Sequence, residues 1–350
     1  MSDLDAYDYD LPRELIAQQP LRNRSDARLM VVHRSSGLIE HYHVRDLPDV
    51  LARGDVLVMN DSKVVPARLV GYRSNTLGKW QGLFLREDPN SGCWEVLSKT
   101  RGRLHPGDWI SITDRYARDS LRLEVVARTE QGNLIIKPEL EGSAETLLEK
   151  FGRIPIPPYI RDGQMTDADV KDYQTVYAKA PGSVAAPTAG LHFTKDLFTS
   201  LQQAGITGQA VTLHVGLGTF RPIASDSLDE HTMHAEWGQI SAATAEVLNV
   251  AKNEGRRRIA VGTTSVRVLE SAADPEGRLL AWTGMTDLFI KPGYQFRAVD
   301  ALMTNFHLPK STLLVLISTL ANNELIRRAY AEAVQQRYRF YSYGDAMLIL

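Results

Sequence analysis

Two short blocks of this sequence set a histidine among the same neighbours: AAPTAGLHF at Ala185–Phe193 and TLHVGLGTF at Thr212–Phe220. Glycine lets a ligand approach the backbone closely, and hydroxyls donate and accept hydrogen bonds. His192 and His214 are the side chains best suited to move a proton near neutral pH. Three further histidines stand in polar company, His231 and His234 in EHTMHAE and His307 in TNFHLPKST. On a helix His231 and His234 would share a face beside two carboxylates. HExxH is absent and spacing places no third ligand, so proton handling or substrate contact is favoured and no metal is expected.

The neighbours of these histidines supply candidate binding groups. Thr188, Gly190 and Phe193 precede a helix predicted from Thr194, which reads as a ligand loop at a helix N-terminus. A tight connection capped by Thr194 accounts for the same residues. Gly216, Gly218, Thr219 and Phe220 follow a strand but lack both the third glycine of a dinucleotide fingerprint and the Lys-Ser/Thr of a phosphate loop. They read either as backbone open to a flat or cationic substrate or as a strand-end bend. Asn60 and Asp61 close a buried strand, a common place for sites in α/β proteins.

RRRIAVGTTSVR reads as a strand running into Thr263, Thr264 and Ser265 at a helix start, where capping and anion binding are both served, with Arg267 one turn in. Asn305 precedes His307 in a similar strand-to-helix passage. RYRFYSYGD at Arg337–Asp345 interleaves cations with aromatics, as suits stacking on unpaired bases or an ordinary half-buried strand.

The elements that must carry these residues divide the chain. A short helix is expected within Asp10–Gln19, and strands at Leu29–His33 and Val56–Met59. Apolar alternation with turn residues then predicts six strands, Arg68–Arg73, Trp80–Arg86, Trp94–Lys99, Trp109–Ile112, Leu121–Arg128 and Asn133–Pro138, at the spacing of a small barrel or sandwich. After the proline-rich IPIPPY at 154–159, strands and helices alternate: helices over Thr194–Ala204, Ala242–Glu254, Ser265–Ala273, Lys310–Ala321 and Glu324–Gln336, strands at Ala210–His214, Arg258–Val261, Thr286–Ile290, Ala301–Phe306 and Ala346–Ile349. The fold class is α/β: a layered α/β domain of residues 1–66 and 150–350, with an inserted all-β barrel-like domain at 67–149.

Composition narrows the classes. The 350 residues hold 40 Lys and Arg against 42 Asp and Glu, a formal net charge of -2, so any nucleic-acid contact must come from a local patch. One cysteine, Cys93, excludes an intramolecular disulfide or thiolate cluster, and a reducing cytoplasm fits. The acidic start lacks the order of a signal peptide, and the apolar run from Leu313 is about half the ~20 residues of a membrane helix.

Taken in order, NDSKVVPARL, PGSVAAPTAGLHF, TLHVGLGTFRP, HTMHAEW, AVGTTSVRVLES, TNFHLPKSTL and YRFYSYGDAM resemble the S-adenosylmethionine:tRNA ribosyltransferase-isomerase family of queuosine biosynthesis, over nearly the whole chain. The resemblance implies transfer and isomerisation of the ribosyl part of S-adenosylmethionine onto 7-aminomethyl-7-deazaguanine at the tRNA wobble position, giving epoxyqueuosine and releasing adenine and methionine. S-adenosylmethionine would be a consumed substrate, with no metal or redox cofactor, and the protein a cytoplasmic monomer.

On that reading a base removes the proton beside the sulfonium and an acid protonates adenine, with His192 and His214 first candidates ahead of His231, His234 and His307. Thr263–Ser265 would meet the methionine carboxylate, and Phe193 or Phe220 would face the sulfonium. Arg68, Arg256, Arg257, Lys291, Arg337 and Arg339 are the expected contacts to the anticodon loop. Rival readings are a non-catalytic RNA-binding protein and an enzyme acting on a small sulfonium nucleoside without RNA.

Overall fold

The computed structural model describes residues 3–216 and 227–350, which form two compact units. The first comprises residues up to 63, 157–162 and 171–350. Its frame is a sheet built from β1 (Arg28–Val32), β2 (Ile39–His43), β3 (Val56–Asn60), β12 (Thr207–Leu213), β13 (Glu236–Ile240), β14 (Arg258–Val261), β15 (Trp282–Thr286), β16 (Ala301–Asn305) and β17 (Ala346–Ile349). These nine strands lie in the order β15-β13-β12-β3-β14-β16-β17-β1-β2. Short strands β4 (Ser62–Val64) and β11 (Ala180–Ser183) lie outside it.

β3 and β14 are buried along their whole length, as expected of central parallel strands covered on both faces. Val56, Val58 and Ala260 face one core, with Leu248, Val266 and Leu269 of the helices Ala242–Asn253 and Thr263–Ala272. Leu57, Met59 and Ile259 face another, with Phe193, Leu197 and Leu201.

Strand direction matters most for the site. β12, β3, β14 and β16 are mutually parallel, so their C-terminal ends share one edge. Carried there are Asn60-Asp61, His214 to Gly216, Gly262 to Thr264, and Asn305 to His307. β17 is antiparallel to β16, which returns the chain just before it, around Ser342, to the same edge. In open α/β sheets this edge is where ligands bind.

The second unit comprises 64–156 and 163–170. Strands β5 (Arg68–Arg73), β6 (Lys79–Glu87), β7 (Trp94–Thr100), β8 (Trp109–Thr113), β9 (Ser120–Arg128) and β10 (Leu134–Pro138) close into a barrel in the order β10-β7-β6-β5-β8-β9. Trp80 and Trp94 fill its core, and Leu147, Leu148 and Phe151 of the helix Ala144–Phe151 join them. That helix starts at a Ser143 cap and packs into the barrel core, so the compact unit is larger than the expected 67–149. The barrel closes tightly at Gly71, where a side-chain carbon would sit 2.0 Å from the Ser111 carbonyl oxygen.

Several expected elements differ. Asp10–Gln19 holds only a single 3-10 turn, Arg13–Leu15, because Ile16 then bridges to Phe340. The helix expected from Lys310 begins at Thr312: Lys310 has φ +54°, and Ser311 caps the helix by accepting the Leu314 amide. The strand expected at Thr286–Ile290 ends where it was expected to begin, running Trp282–Thr286, and Leu288 to Ile290 pack on the core without strand pairing. His231 and His234 lie in irregular chain, so the shared helical face does not form.

Candidate active site

A cleft of about 140 Å³ opens at the C-terminal edge of β14 and β16. Of the residues singled out from sequence, Thr188, Thr263, Thr264, Asn305 and His307 line it. Four stretches distant in sequence build its walls: 186–189, 262–264, 304–309 and 341–342, with Tyr159, Val215, Ser311 and Leu313 beside them. Among the described residues, no Asp, Glu, Lys or Arg side chain lines it.

Asn305 is the hub. Its Oδ1 accepts from Thr188 Oγ1 at 2.9 Å, and its Nδ2 donates to the Tyr341 carbonyl at 3.2 Å and lies 3.3 Å from His192 Nε2. His192 is buried behind it, and its ring also bonds the Arg24 backbone. Burial, with the nearby Arg24 and Arg339 charges, pushes the His192 pKa down to about 4. This neutral imidazole, engaged on both sides, orients Asn305 and does not itself line the cleft.

His307 alone among the described histidines lines the cleft. Its Nε2 is 2.8 Å from Thr304 Oγ1, and its backbone amide donates to Tyr330 Oη at 2.8 Å. Burial lowers its pKa to about 3, so the ring is neutral, with one nitrogen an acceptor and the other a donor.

The helix Thr263–Ala272 begins at the cleft without a side-chain cap. Its N-cap is Gly262 at φ +86°, a conformation that suits glycine. The first amides therefore carry the helix dipole into the cleft, and the buried Thr264 hydroxyl has no hydrogen-bond partner among the described residues. Ser265 does not contribute: it is fully buried and its Oγ donates to the Val261 carbonyl at 2.9 Å.

Other expected ligand groups have structural employment. Asn60 is buried and braces β3 to β12, donating to the Leu213 carbonyl and accepting the Leu213 and Ser62 amides, each at 3.0 Å. Arg267, expected to meet an external anion, holds buried Glu236 and donates to the Thr286 carbonyl at 2.9 Å. Glu236 in turn accepts the Gly216 amide at 2.7 Å, so that glycine's N–H is not free for a ligand. Gly190 makes room for Tyr177: a side-chain carbon there would lie 1.9 Å from Tyr177 Oη. Phe193 is fully buried and stacks on Phe198 with ring centroids 5.3 Å apart, so it presents no face to a sulfonium. Gly218, Thr219 and Phe220 lie outside the described residues.

Asp61 and His214 sit at the same sheet edge but do not line this cleft. Asp61 Oδ1 accepts from Thr212 Oγ1 at 2.7 Å. His214 is half-buried, stacks on Trp237 at 5.0 Å, and is held below its ordinary pKa by burial, with Asp61 opposing. His231 packs edge-on against Phe289, and burial and His234 lower its pKa. No group of three metal-ligating side chains occurs among the described residues.

The basic residues scatter. Arg256 and Arg257 stand just before β14, at the sheet edge opposite the cleft, and pair with Glu254 and Asp55. Arg68, in the barrel unit, is half-buried and bonds the Gly163 carbonyl and Gln81. Lys291 pairs with Asp229, Arg339 bonds the Gln19 carbonyl, and Arg337 is exposed. The interleaved aromatics do not form an exposed stacking platform: Tyr338 and Phe340 are fully buried, and Tyr341 and Tyr343 nearly so, Tyr341 reaching only the cleft.

Glu236 carries no signal in the sequence beyond being a carboxylate that flanks the histidine pair. Likewise, nothing in the sequence marks the cleft roles of Tyr159, read as linker, and Tyr341, read as part of a base-stacking block.

Comparison with known proteins adds a second line of observation. A family model described as queuosine biosynthesis protein matches residues 4–349. The chain is 51% identical over 347 residues to a Symbiobacterium thermophilum protein named S-adenosylmethionine:tRNA ribosyltransferase-isomerase, covering 99% of each. It is 48% identical to the protein of that name from Moorella thermoacetica, again over 99% of each. Among solved structures it resembles the crystal structure of S-adenosylmethionine tRNA ribosyltransferase from Thermotoga maritima, at 36% identity and a TM-score of 0.55, covering 99% of this chain and 100% of that one.

Proposed function

The chain belongs to the queuosine biosynthesis family, and from that premise we propose that it transfers and isomerises the ribosyl moiety of S-adenosylmethionine onto 7-aminomethyl-7-deazaguanine at the wobble position of tRNA. The observation that carries this reading is relatedness from end to end, at about half identity, to proteins of that name. The cleft supports it.

In this reading the sulfonium nucleoside occupies the cleft and is consumed there. The carbon next to the sulfonium loses a proton, the glycosidic bond breaks with its electron pair going to adenine, which takes up a proton, and the aminomethyl nitrogen gives up a proton as it bonds to the sugar. Methionine leaves with the electron pair of the broken carbon–sulfur bond. His307, neutral and facing the cleft, is the candidate proton acceptor. The uncapped helix start at Thr263 and Thr264 receives the methionine carboxylate, where amides and dipole favour an anion. Asn305, held by His192 and Thr188, orients a polar edge of the nucleoside.

The second substrate is the anticodon loop, whose target base is already partly unstacked and costs little to turn outward. The protein acts as a monomer in the cytoplasm without a metal or redox cofactor. Among the described residues, no helix is long and apolar enough to cross a membrane.

The test mixes the protein with S-adenosylmethionine and tRNA bearing the 7-aminomethyl-7-deazaguanine precursor and follows free adenine. Adenine release that requires the modified tRNA is expected, and should fall at least a hundredfold in His307→Ala, within the range general acid–base groups supply. Release without RNA, or none at all, contradicts the proposal.

A further inference from the structure

A cationic ligand entering this cleft meets no carboxylate, because no acidic side chain lines it among the described residues. What it meets are threonine and serine residues, Asn305, His307, apolar side chains and two inclined tyrosine rings. Tyr159 and Tyr341 both line the cleft, with ring centroids 4.8 Å apart and planes at 58°. Both phenols are held above their ordinary pKa by burial, so both are neutral and bring no anionic charge to the cleft.

Tyr341 is also held in a costly conformation. Its φ is +70°, a left-handed value that non-glycine residues seldom adopt and that persists where surrounding bonds enforce it. Three bonds do so: the Tyr341 amide donates to the Phe306 carbonyl at 3.2 Å, and its carbonyl accepts from Asn305 Nδ2 at 3.2 Å and from the Gly344 amide at 2.9 Å. On the other wall, Tyr159 Oη is 2.7 Å from Ser342 Oγ. The hub that organises the polar side of the cleft thus also fixes the aromatic side.

We propose that Tyr159 and Tyr341 form an aromatic corner that holds the sulfonium by cation–π attraction and selects the charged nucleoside over its neutral thioether. The inference rests on the function proposed above. Ring faces attract a cation most strongly where water is excluded. The charge exists only in the substrate: when the carbon–sulfur bond breaks, its electron pair leaves sulfur as a neutral thioether. The corner therefore favours S-adenosylmethionine over released methionine, which eases product departure.

The test measures dissociation constants of S-adenosylmethionine and S-adenosylhomocysteine for wild type, Tyr341→Leu, Tyr341→Phe and Tyr159→Leu by calorimetry. Wild type and Tyr341→Phe should prefer the sulfonium by similar factors. Each leucine variant should lose roughly tenfold of that preference, the scale of one desolvated cation–π contact, mainly as weaker sulfonium binding. Steady-state kinetics should show the loss in KM more than in kcat. If Tyr341→Leu does not fold, Tyr159→Leu, altered at a half-buried position, decides alone. A wild-type protein that binds the sulfonium while both leucine variants keep its preference overturns the corner only. A wild-type protein that does not bind it overturns the function as well.

Discussion

His192 and His307 show how a histidine can be central to a site without titrating in the working range. Burial lowers their pKa values from 6.5 to about 4 and about 3. Below pH 6.5 the unfolded chain takes up protons that these native sites refuse, so stability falls with acidification. The loss is about 3 kcal/mol per histidine by pH 4 and ceases to grow once the native rings protonate as well. In His192→Gln, where the amide oxygen can still face Asn305, urea denaturation at pH 7.5 and pH 4.5 should show a smaller drop between the two conditions than wild type. Equal drops would mean His192 is already protonated in the folded protein. The sequence marked these histidines because of their glycine and hydroxyl neighbours, yet it could not separate a ring facing a ligand from one facing Asn305. That distinction depends on which side of a strand end the ring falls.

At the scale of elements, Glu236 and Arg267 tie β13 to the helix Thr263–Ala272, and the Gly216 amide to both. Removing one partner leaves a buried charge alone: Glu236→Ala should cost roughly 3–5 kcal/mol by chemical denaturation. Glu236→Gln, which keeps an acceptor for Gly216, should cost less, and adding Arg267→Met to Glu236→Ala should recover part of the loss. Similar, small changes in all three would show the pair to be dispensable.

Legibility varied for physical reasons. The six barrel strands could be read because alternating apolar residues face one closed core and glycine-rich turns interrupt them. The β15 strand was missed because Gly284 and exposed Met285 break an apolar pattern, as fits an edge strand. The adjacent apolar run Leu288 to Ile290 serves the core without pairing. Asn60, Ser265 and Arg267 read from sequence as ligand groups, yet in the fold they satisfy backbone and buried charge, a second demand met by polar residues at strand ends and helix starts. Composition does not reveal which demand each meets.

For the whole molecule, sheet polarity predicts where RNA does not bind. β14 is four residues long, so at about 3.3 Å per residue Arg256 and Arg257 stand roughly 13 Å behind its cleft end. Arg256→Gln and Arg257→Gln should leave the salt dependence of tRNA binding unchanged, whereas removing a cation that neutralises one phosphate would reduce the log–log slope by about 0.9. The two units also carry separate cores, with Trp80, Trp94 and Trp109 in the barrel and Trp237 and Trp282 in the sheet unit. Gly71→Ala forces a backbone clash within the barrel. Its fluorescence transition, isolated by Trp237→Phe and Trp282→Phe, should move to lower urea while binding of the sulfonium nucleoside persists. Abolished binding would show that the cleft depends on the barrel's integrity.

The position of β17 in the sheet has a consequence for folding. Among the described residues β1 joins the body of the sheet through β17, which pairs with it on one side and with β16 on the other. The β1–β2 hairpin can form from neighbouring residues, but its docking strand lies far along the chain at Ala346–Ile349, so that pairing is non-local and slow relative to the hairpin itself. The same late pairing sets the wall around Ser342 beside Asn305.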